Sequence, residues 1–222
     1  MTRLITFGCS YTQGIGLDGL GWRDHHYYNS PLESVLKIQS ASKDAWPHLL
    51  ADKLGLECIN LGRGGSGPKY IFQMIREFEF QKTDIVVIQW PDPSRHVIWK
   101  ELLSEKGIVS HGGDITVQNL RKLEFYKNWY TDFDAQYNNA VLIESTHTYL
   151  KDKCKNVYSV SSHCEMYKNK TLTKTFPILS EVGRFFDQYN HLQDLCNDLC
   201  NDGHPGKGRH VAFAEDMEKI IL

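Results

Sequence analysis

A chain of 222 residues with a formal net charge of -2, its 25 basic and 27 acidic residues interspersed, has no basic stripe of the kind that gathers phosphate backbones, so nucleic acid is excluded as an expected partner. No stretch approaches the roughly 20 apolar residues of a membrane span, and Met1-Thr2-Arg3 runs directly into the first strand-like segment without a long apolar leader, so the expectation is a soluble, cytoplasmic protein with no membrane partner. The length fits one α/β domain over residues 1–222, and six scattered cysteines in a chain able to build its own core are expected as reduced thiols rather than a disulfide framework.

Leu4-Ile5-Thr6-Phe7 is a β-prone run that breaks at Gly8 and leaves the hydroxyl of Ser10 just beyond it. That is the pattern of a buried strand delivering a side chain to the carboxyl edge of a sheet, where open α/β sheets place their chemistry. Residues 14–42 read as irregular, with Gly16, Gly19, Gly21, Pro31 and the aromatic group Trp22, His25, His26, Tyr27 and Tyr28. A loop of this length is a candidate substrate-side loop, the alternative being that its aromatics pack a small satellite core.

Over residues 45–54, Trp46, Leu49, Leu50 and Leu54 fall at helical spacing, with Asp44 as the expected cap and Gly55 past the end. Residues 56–61 read as a second strand, the glycine-rich turn 62–68 follows, and a helix is expected from about 69 to 81. Residues 84–90 form a continuous apolar run, typical of a strand covered on both faces. Residues 91–113 read as irregular, and residues 115–153 as mostly helical, with an aromatic stripe of Phe125, Tyr126, Trp129, Tyr130, Phe133 and Tyr137 expected to face the core. Residues 156–162 give a fourth strand and 207–221 a terminal amphipathic helix. Strands alternating with helices predict a parallel sheet with helices on both faces, the turns at 62–67 and 90–95 flanking Ser10.

A serine attacks a carbonyl only if a histidine takes its proton and a carboxylate orients that histidine. The far end of the chain supplies both, in Asn201-Asp202-Gly203-His204-Pro205. Each has an ordinary structural role in isolation, Ser10 as a capping hydroxyl and Asp202 as the cap of the helix that follows. Their conjunction, serine first and carboxylate then histidine last, is the chain order of α/β esterases.

The glycine turn contains G-x-G-x-x-G literally, as Gly62, Gly64 and Gly67, so nucleotide binding is a further alternative. Against it, that fingerprint normally occupies the first βα turn and its ribose-binding acid ends the next strand, whereas Asp84 begins one. A glycine-rich turn at a helix N-terminus also presents backbone N–H groups to developing negative charge, as an oxyanion hole requires, and a tight turn with no ligand is the third alternative. His25, His26, His163 and His191 show no metal-ligand spacing, so no metal is expected.

Phe7-Gly8-Cys9-Ser10-Tyr11-Thr12 resembles the first block of the SGNH, or GDSL-like, hydrolases, with Cys9 where GDSL members carry Asp. Asn60-Leu61-Gly62-Arg63-Gly64-Gly65-Ser66 resembles the second block, with Gly65 at the oxyanion glycine, and Asp202-Gly203-His204-Pro205 resembles the last. The match spans most of the fold, including Ala45-Trp46-Pro47 and the terminal helix, and is similar to SGNH-like proteins found in phage and bacterial genomes. The resemblance implies a flavodoxin-like three-layer α/β sandwich with a central parallel sheet. It also implies a serine esterase cleaving small acyl esters, a carbohydrate acetyl group among them. Ser10 is then the nucleophile, His204 the general base and Asp202 its orienting carboxylate, the backbone N–H groups of Ser10 and Gly65 form the oxyanion hole, and no cofactor is required.

Two departures from the family pattern matter. Members often space Asp and His as D-x-x-H, while here Asp202 and His204 are two apart and Asn201 stands three before His204, making Asn201 the alternative partner. The third block, usually G-x-N-D, is replaced by Gln89-Trp90-Pro91-Asp92-Pro93-Ser94-Arg95 and lacks its oxyanion Asn. Losing one such donor typically costs about 10²- to 10³-fold in turnover, so Gln89, Ser94 and Arg95 are the candidates to fill the gap or touch substrate. Arg95 alternatively binds a substrate carboxylate or pairs with Asp92. The altered block leaves a second reading, a catalytically weak or inactive carbohydrate-binding or structural protein.

Overall fold

Alternation along the first strand sets the architecture. In β1 (Arg3–Gly8), Ile5 and Phe7 enter one core while Leu4 enters the other, as side chains on a strand must point to opposite faces. β3 (Ile85–Trp90) repeats this, with Val86, Ile88 and Trp90 on the first side and Ile85 and Val87 on the second, and all six of its residues are buried. Helices cover both faces. The computed structural model describes residues 2–18, 41–98, 109–111, 128, 131–161, 169–184, 198–201 and 203–222.

With β2 (Glu57–Gly62), β6 (Asn156–Ser161) and the two-residue β7 (Gly183–Arg184), these strands form a five-stranded sheet in the order β2-β1-β3-β6-β7, every pairing parallel. α2 (Trp46–Leu54) and α6 (Lys207–Ile221) cover one face through Trp46, Leu50, Ala51, Phe213, Ala214 and Met217. α3 (Pro68–Glu77) and α4 (Asp132–Leu150) cover the other, with Tyr70, Ile71, Met74 and Ile75 packed near Ile143 and Leu150. The expected three-layer α/β sandwich is therefore the fold. Because the chain passes from β1 to β2 on one side and returns to β3 on the other, the order reverses at β1, and a crevice opens at the carboxyl ends there.

Several local expectations change. Asp44 does not cap α2: Ala45 holds the cap position, and the Asp44 carboxylate pairs with Lys207 Nζ at 2.8 Å instead, tying α2 to the start of α6. Gly55 ends α2 with φ +65, as expected of a left-handed stop. α3 ends at Glu77 rather than near residue 81, because Phe78 turns extended and sets its ring edge-on to Phe7 at 5.9 Å. Within residues 91–113, two short strands, β4 (His96–Ile98) and β5 (Val109–His111), pair antiparallel.

On α4, Phe133 and Tyr137 are 52% and 42% exposed, not core. Ala135, Asn139, Ile143, Thr146 and Leu150 claim the inner face, and the helical period turns 133 and 137 away from it. Phe125, Tyr126, Trp129 and Tyr130 lie outside the described residues, as does the aromatic group between residues 22 and 28. A short helix α5 (Lys170–Thr175), capped by the Asn169 side chain, and a 3₁₀ turn (Pro177–Glu181) precede β7. No helix among the described residues is long and apolar enough to cross a membrane.

Candidate active site

Ser10 opens α1 (Ser10–Gln13), a single turn that follows β1 directly. The Gln13 N–H donates to the Cys9 carbonyl at 3.0 Å, and the N–H groups of Gly14 and Ile15 both donate to the Ser10 carbonyl, at 2.9 and 3.1 Å. Gly14 closes the turn in the left-handed region, φ +78, which a residue without Cβ adopts freely. The Ser10 N–H thus sits in a first helical turn, where amides lack intrahelical acceptors. Ser10 as a whole is only 5% exposed.

Close backbone approach locks this turn to its neighbours. A Cβ on Gly8 would collide with the Thr12 hydroxyl, and one on Gly62 would lie 2.5 Å from the Gln13 nitrogen. Asn60 joins the pieces: its Nδ2 donates to the Thr12 carbonyl at 2.7 Å while its Oδ1 accepts the Gly62 N–H at 2.9 Å. Gln13 Oε1 accepts the Gly64 N–H at 2.7 Å, and the Arg63 N–H donates to the Gly8 carbonyl at 3.0 Å. The turn at Gly62, Gly64 and Gly67 therefore spends two of its amides on side chains inside the site, and its glycines answer to packing. Dinucleotide phosphate is not needed to explain them. Gly65 follows with φ +74 and is half-buried.

The third segment comes from the end of β3. Gln89 has no exposed surface; its Oε1 accepts the Thr12 hydroxyl from beneath, and its buried Nε2 has no hydrogen-bond partner. Asp92 Oδ1 accepts the Ser94 N–H at 2.7 Å, and the Arg95 N–H donates to the Asp92 carbonyl at 3.1 Å, forming a tight turn. The proposed pairing of Arg95 with Asp92 does not occur: no ion pair involves Arg95 among the described residues, and its Nη1 is buried without a partner. Ser94 and Arg95 are both half-buried, and a Cβ on Gly67 would lie 2.7 Å from the Arg95 carbonyl, so this turn abuts the glycine turn.

His204 arrives from the loop before α6. Its ring meets Tyr11, the residue after Ser10, edge-on with centroids 5.9 Å apart. The loop is closed on itself: the Cys200 N–H donates to the His204 carbonyl at 2.8 Å, Leu199 bridges to Pro205, and Gly203 takes φ +84. Gly206 holds the cap position of α6 and offers no side chain, and Asp198 Oδ2 accepts the Arg209 N–H of the first turn at 2.7 Å, a residue that no spacing rule singled out because it acts across the loop. Asp202 lies outside the described residues; Asn201 is exposed. The structure thus brings Ser10, the Gly65 turn, the Ser94–Arg95 turn and His204 to one edge, and keeps Gln89 under it.

A second histidine, His210, braces the region from below. Its Nδ1 accepts the Trp46 N–H at 3.1 Å, docking the start of α2 on α6, and burial beside His204 pushes its pKa down to about 3. Cys9, Cys58, Cys154 and Cys200 are free thiols, burial raising Cys58 to about 12 and Cys154 to about 11; Cys164 and Cys196 lie outside the described residues. No cluster of His, Cys, Asp and Glu suited to a metal ion occurs among the described residues.

No protein-family model matches the chain, and no curated protein matches it by sequence. Solved structures match its fold. A member of the lipolytic G-D-S-L family from Veillonella parvula DSM 2008 superposes with a TM-score of 0.51 at 10% identity, covering 100% of both chains. An acetyl xylan esterase from the rumen bacterium Butyrivibrio proteoclasticus gives 0.56 at 9% identity over 99% of this chain and 63% of that one. A carbohydrate esterase family 2 enzyme with a carbohydrate-binding domain, from Corynascus thermopiles (Myceliophthora fergusii), gives 0.56 at 13% over 99% and 65%. The chain therefore spans less than two thirds of these two esterases. Its fold is the SGNH, or GDSL-like, hydrolase fold.

Proposed function

We propose that this chain is a serine ester hydrolase acting on small acyl esters, carbohydrate acetyl esters among them. Ser10 Oγ attacks the ester carbonyl, while His204 takes the hydroxyl proton and returns it to the departing alcohol. Asp202 holds the imidazole's tautomer and stabilises its charged form. The backbone N–H groups of Ser10 and Gly65 bind the oxyanion, and water activated by the same histidine then cleaves the acyl-serine. No cofactor enters these steps.

One observation carries the reading. Three segments far apart in sequence meet at the sheet's carboxyl edge: the Ser10 turn, the glycine turn bonded to it through Gly64 and Gln13, and His204 packed on Tyr11. That two of the fold's neighbours are carbohydrate esterases supports the same chemistry. Hydrolysis of para-nitrophenyl acetate tests it: Ser10→Ala and His204→Ala each lose about 10³-fold or more of wild-type turnover while remaining folded, and full activity in Ser10→Ala removes Ser10 as the nucleophile. Asp202→Ala compared with Asn201→Ala identifies the histidine's partner.

One feature favours a second reading, binding without turnover. The third block has no Asn, and Gln89, the amide nearest in sequence, has no exposed surface from which its Nε2 could meet an oxyanion. Wild-type hydrolysis at the buffer rate combined with sugar binding would select that reading.

A further inference from the structure

We propose that Asp198 is a positioning residue for His204, acting through the short hairpin that carries the histidine, and that residue 206 is glycine so that the Asp198 carboxylate can be seated. Its part in catalysis rests on the esterase reading, while the placement of the imidazole does not. Asp202 is assigned to the imidazole itself; Asp198 works on the backbone that bears it.

A general base must be held within about 0.5 Å of its productive position, and a loop residue needs other groups to hold it there. His204 is such a residue, standing between a turn and α6. The turn is closed by the Gly203 N–H, which donates to the Cys200 carbonyl at 2.9 Å. The Cys200 N–H donates to the His204 carbonyl and the Gly206 N–H to the Asp198 carbonyl, both at 2.8 Å, on either side of the antiparallel bridge between Leu199 and Pro205. Asp198 is therefore opposite Gly206 and Cys200 opposite His204, which puts Asp198 and His204 diagonally on one face of the hairpin.

Asp198 ties this hairpin to the helix that follows. Gly206, at the cap position of α6, has no side chain to offer the first-turn amides, which lack intrahelical acceptors. Asp198 Oδ2 accepts the Arg209 N–H at 2.7 Å, the bond that an N-cap side chain ordinarily makes to the third residue of its helix. Its negative charge also suits the positive end of the helix dipole. One residue thus holds the rung at Gly206 through its carbonyl and the first turn of α6 through its carboxylate, and His204 lies between the turn and that rung.

Gly206 has φ -78 and ψ 178, backbone that any residue adopts, so its conformation does not call for glycine. The space around it does. A Cβ there would overlap Asp198 Oδ1 and lie 2.6 Å from its Cγ, so a side chain at 206 must drive the carboxylate off the Arg209 N–H. The consequence reaches the nucleophile, because the His204 ring packs edge-on against Tyr11, the residue after Ser10, with centroids 5.9 Å apart. A hairpin that shifts carries the imidazole with it, and a misplacement of about 1 Å costs about 10²-fold in rate.

Steady-state hydrolysis of para-nitrophenyl acetate by the full chain, corrected for the folded fraction from urea melts, tests the proposal. Asp198→Ala is expected to lower kcat about 10- to 100-fold with KM unchanged within about twofold, a loss of positioning rather than of binding. Asp198→Asn keeps an oxygen for the Arg209 N–H and should hold kcat within about threefold of wild type. Gly206→Ala should reproduce Asp198→Ala while keeping every ionisable group. The double variant should lose no more than the worse single one, since the carboxylate is already gone when the methyl arrives. Unchanged kcat in Asp198→Ala, an Asp198→Asn as slow as Asp198→Ala, or losses that multiply in the double variant overturn the proposal. Should Asp198→Ala fail to fold, Gly206→Ala stands in for it, and wild-type kcat there overturns the proposal. Wild type that hydrolyses no ester removes the esterase reading, and the NMR signals of the His204 ring, assigned by their absence in His204→Ala, then decide its placement alone. Signals moved or broadened in Asp198→Ala and Gly206→Ala, but as in wild type in Asp198→Asn, uphold it; signals unmoved in both alanine variants overturn it.

Discussion

The two edges of the central sheet bury polar groups in opposite ways. At the amino edge, Asp84 has no exposed surface, but Arg3 grips both its oxygens at 2.9 and 2.7 Å, the Gln81 N–H adds a bond at 2.8 Å, and the Lys155 N–H takes its carbonyl at 2.9 Å. At the carboxyl edge, Ser66 Oγ, Gln89 Nε2 and Arg95 Nη1 are buried with no hydrogen-bond partner. A closed network of the first kind holds strands in register and does no more. Unmet donors and acceptors, gathered where the strand order reverses, set this edge apart from the other.

The contrast can be broken first at the amino edge. Asp84→Ala leaves the Arg3 guanidinium without its partner and should cost about 3 kcal/mol in denaturant unfolding, while turnover per folded molecule stays at the wild-type level. A proportionate loss of turnover in the folded fraction would mean that the two edges are coupled. At the carboxyl edge turnover should fall as well as stability. In Gly62→Ala the new methyl meets the backbone of Thr12 and Gln13, so α1 must shift; stability falls by about 1–3 kcal/mol, and turnover by about 10²-fold in the molecules that remain folded, since small misplacements of a nucleophile are amplified in rate.

Acid sharpens the comparison least steeply. His210 has a folded pKa of about 3 against an ordinary 6.5, so between these values the unfolded chain holds the extra proton. Stability is therefore full above about pH 6.5 and declines on acidification, by up to about 1.4 kcal/mol per pH unit, until about pH 3. His147, whose Nε2 meets Ser159 Oγ at 2.8 Å and whose pKa is lowered by burial, adds in the same direction. Urea midpoints measured between pH 7.5 and 5 check this, and replacing His210 with Gln should flatten the slope.

How much of this was legible in the sequence follows from the kind of signal each part carries. β1, β2, β3 and α2 were readable because apolar periodicity and a terminal glycine are local, and Gly55 confirms that logic with its positive φ. The Ser10 turn, Gly65 and the histidine loop could be named because each is a short motif. What joins them could not. Asn60 bonding Thr12 and Gly62, Gln13 bonding Gly64, and Asp198 capping α6 from across a loop are contacts of the folded chain, made by residue types that serve equally as surface groups. Asp44 was misplaced for the same reason: as a cap it satisfied a local rule, whereas in the fold Ala45 takes the cap position and Asp44 meets Lys207 on α6, far along the chain. Gln89, proposed from its place in an altered motif, has no exposed surface, and its Oε1 accepts the Thr12 hydroxyl, a contact that the motif does not encode.

The most direct test of the site is covalent. Incubating the wild-type chain with a fluorophosphonate and mapping the adduct by peptide mass spectrometry asks whether any serine is activated, without assuming which ester the protein prefers. A single adduct on Ser10, formed at a rate that collapses in His204→Ala, is the predicted result. Absence of an adduct on the folded wild type, or one carried by a serine elsewhere, would contradict Ser10 as the nucleophile.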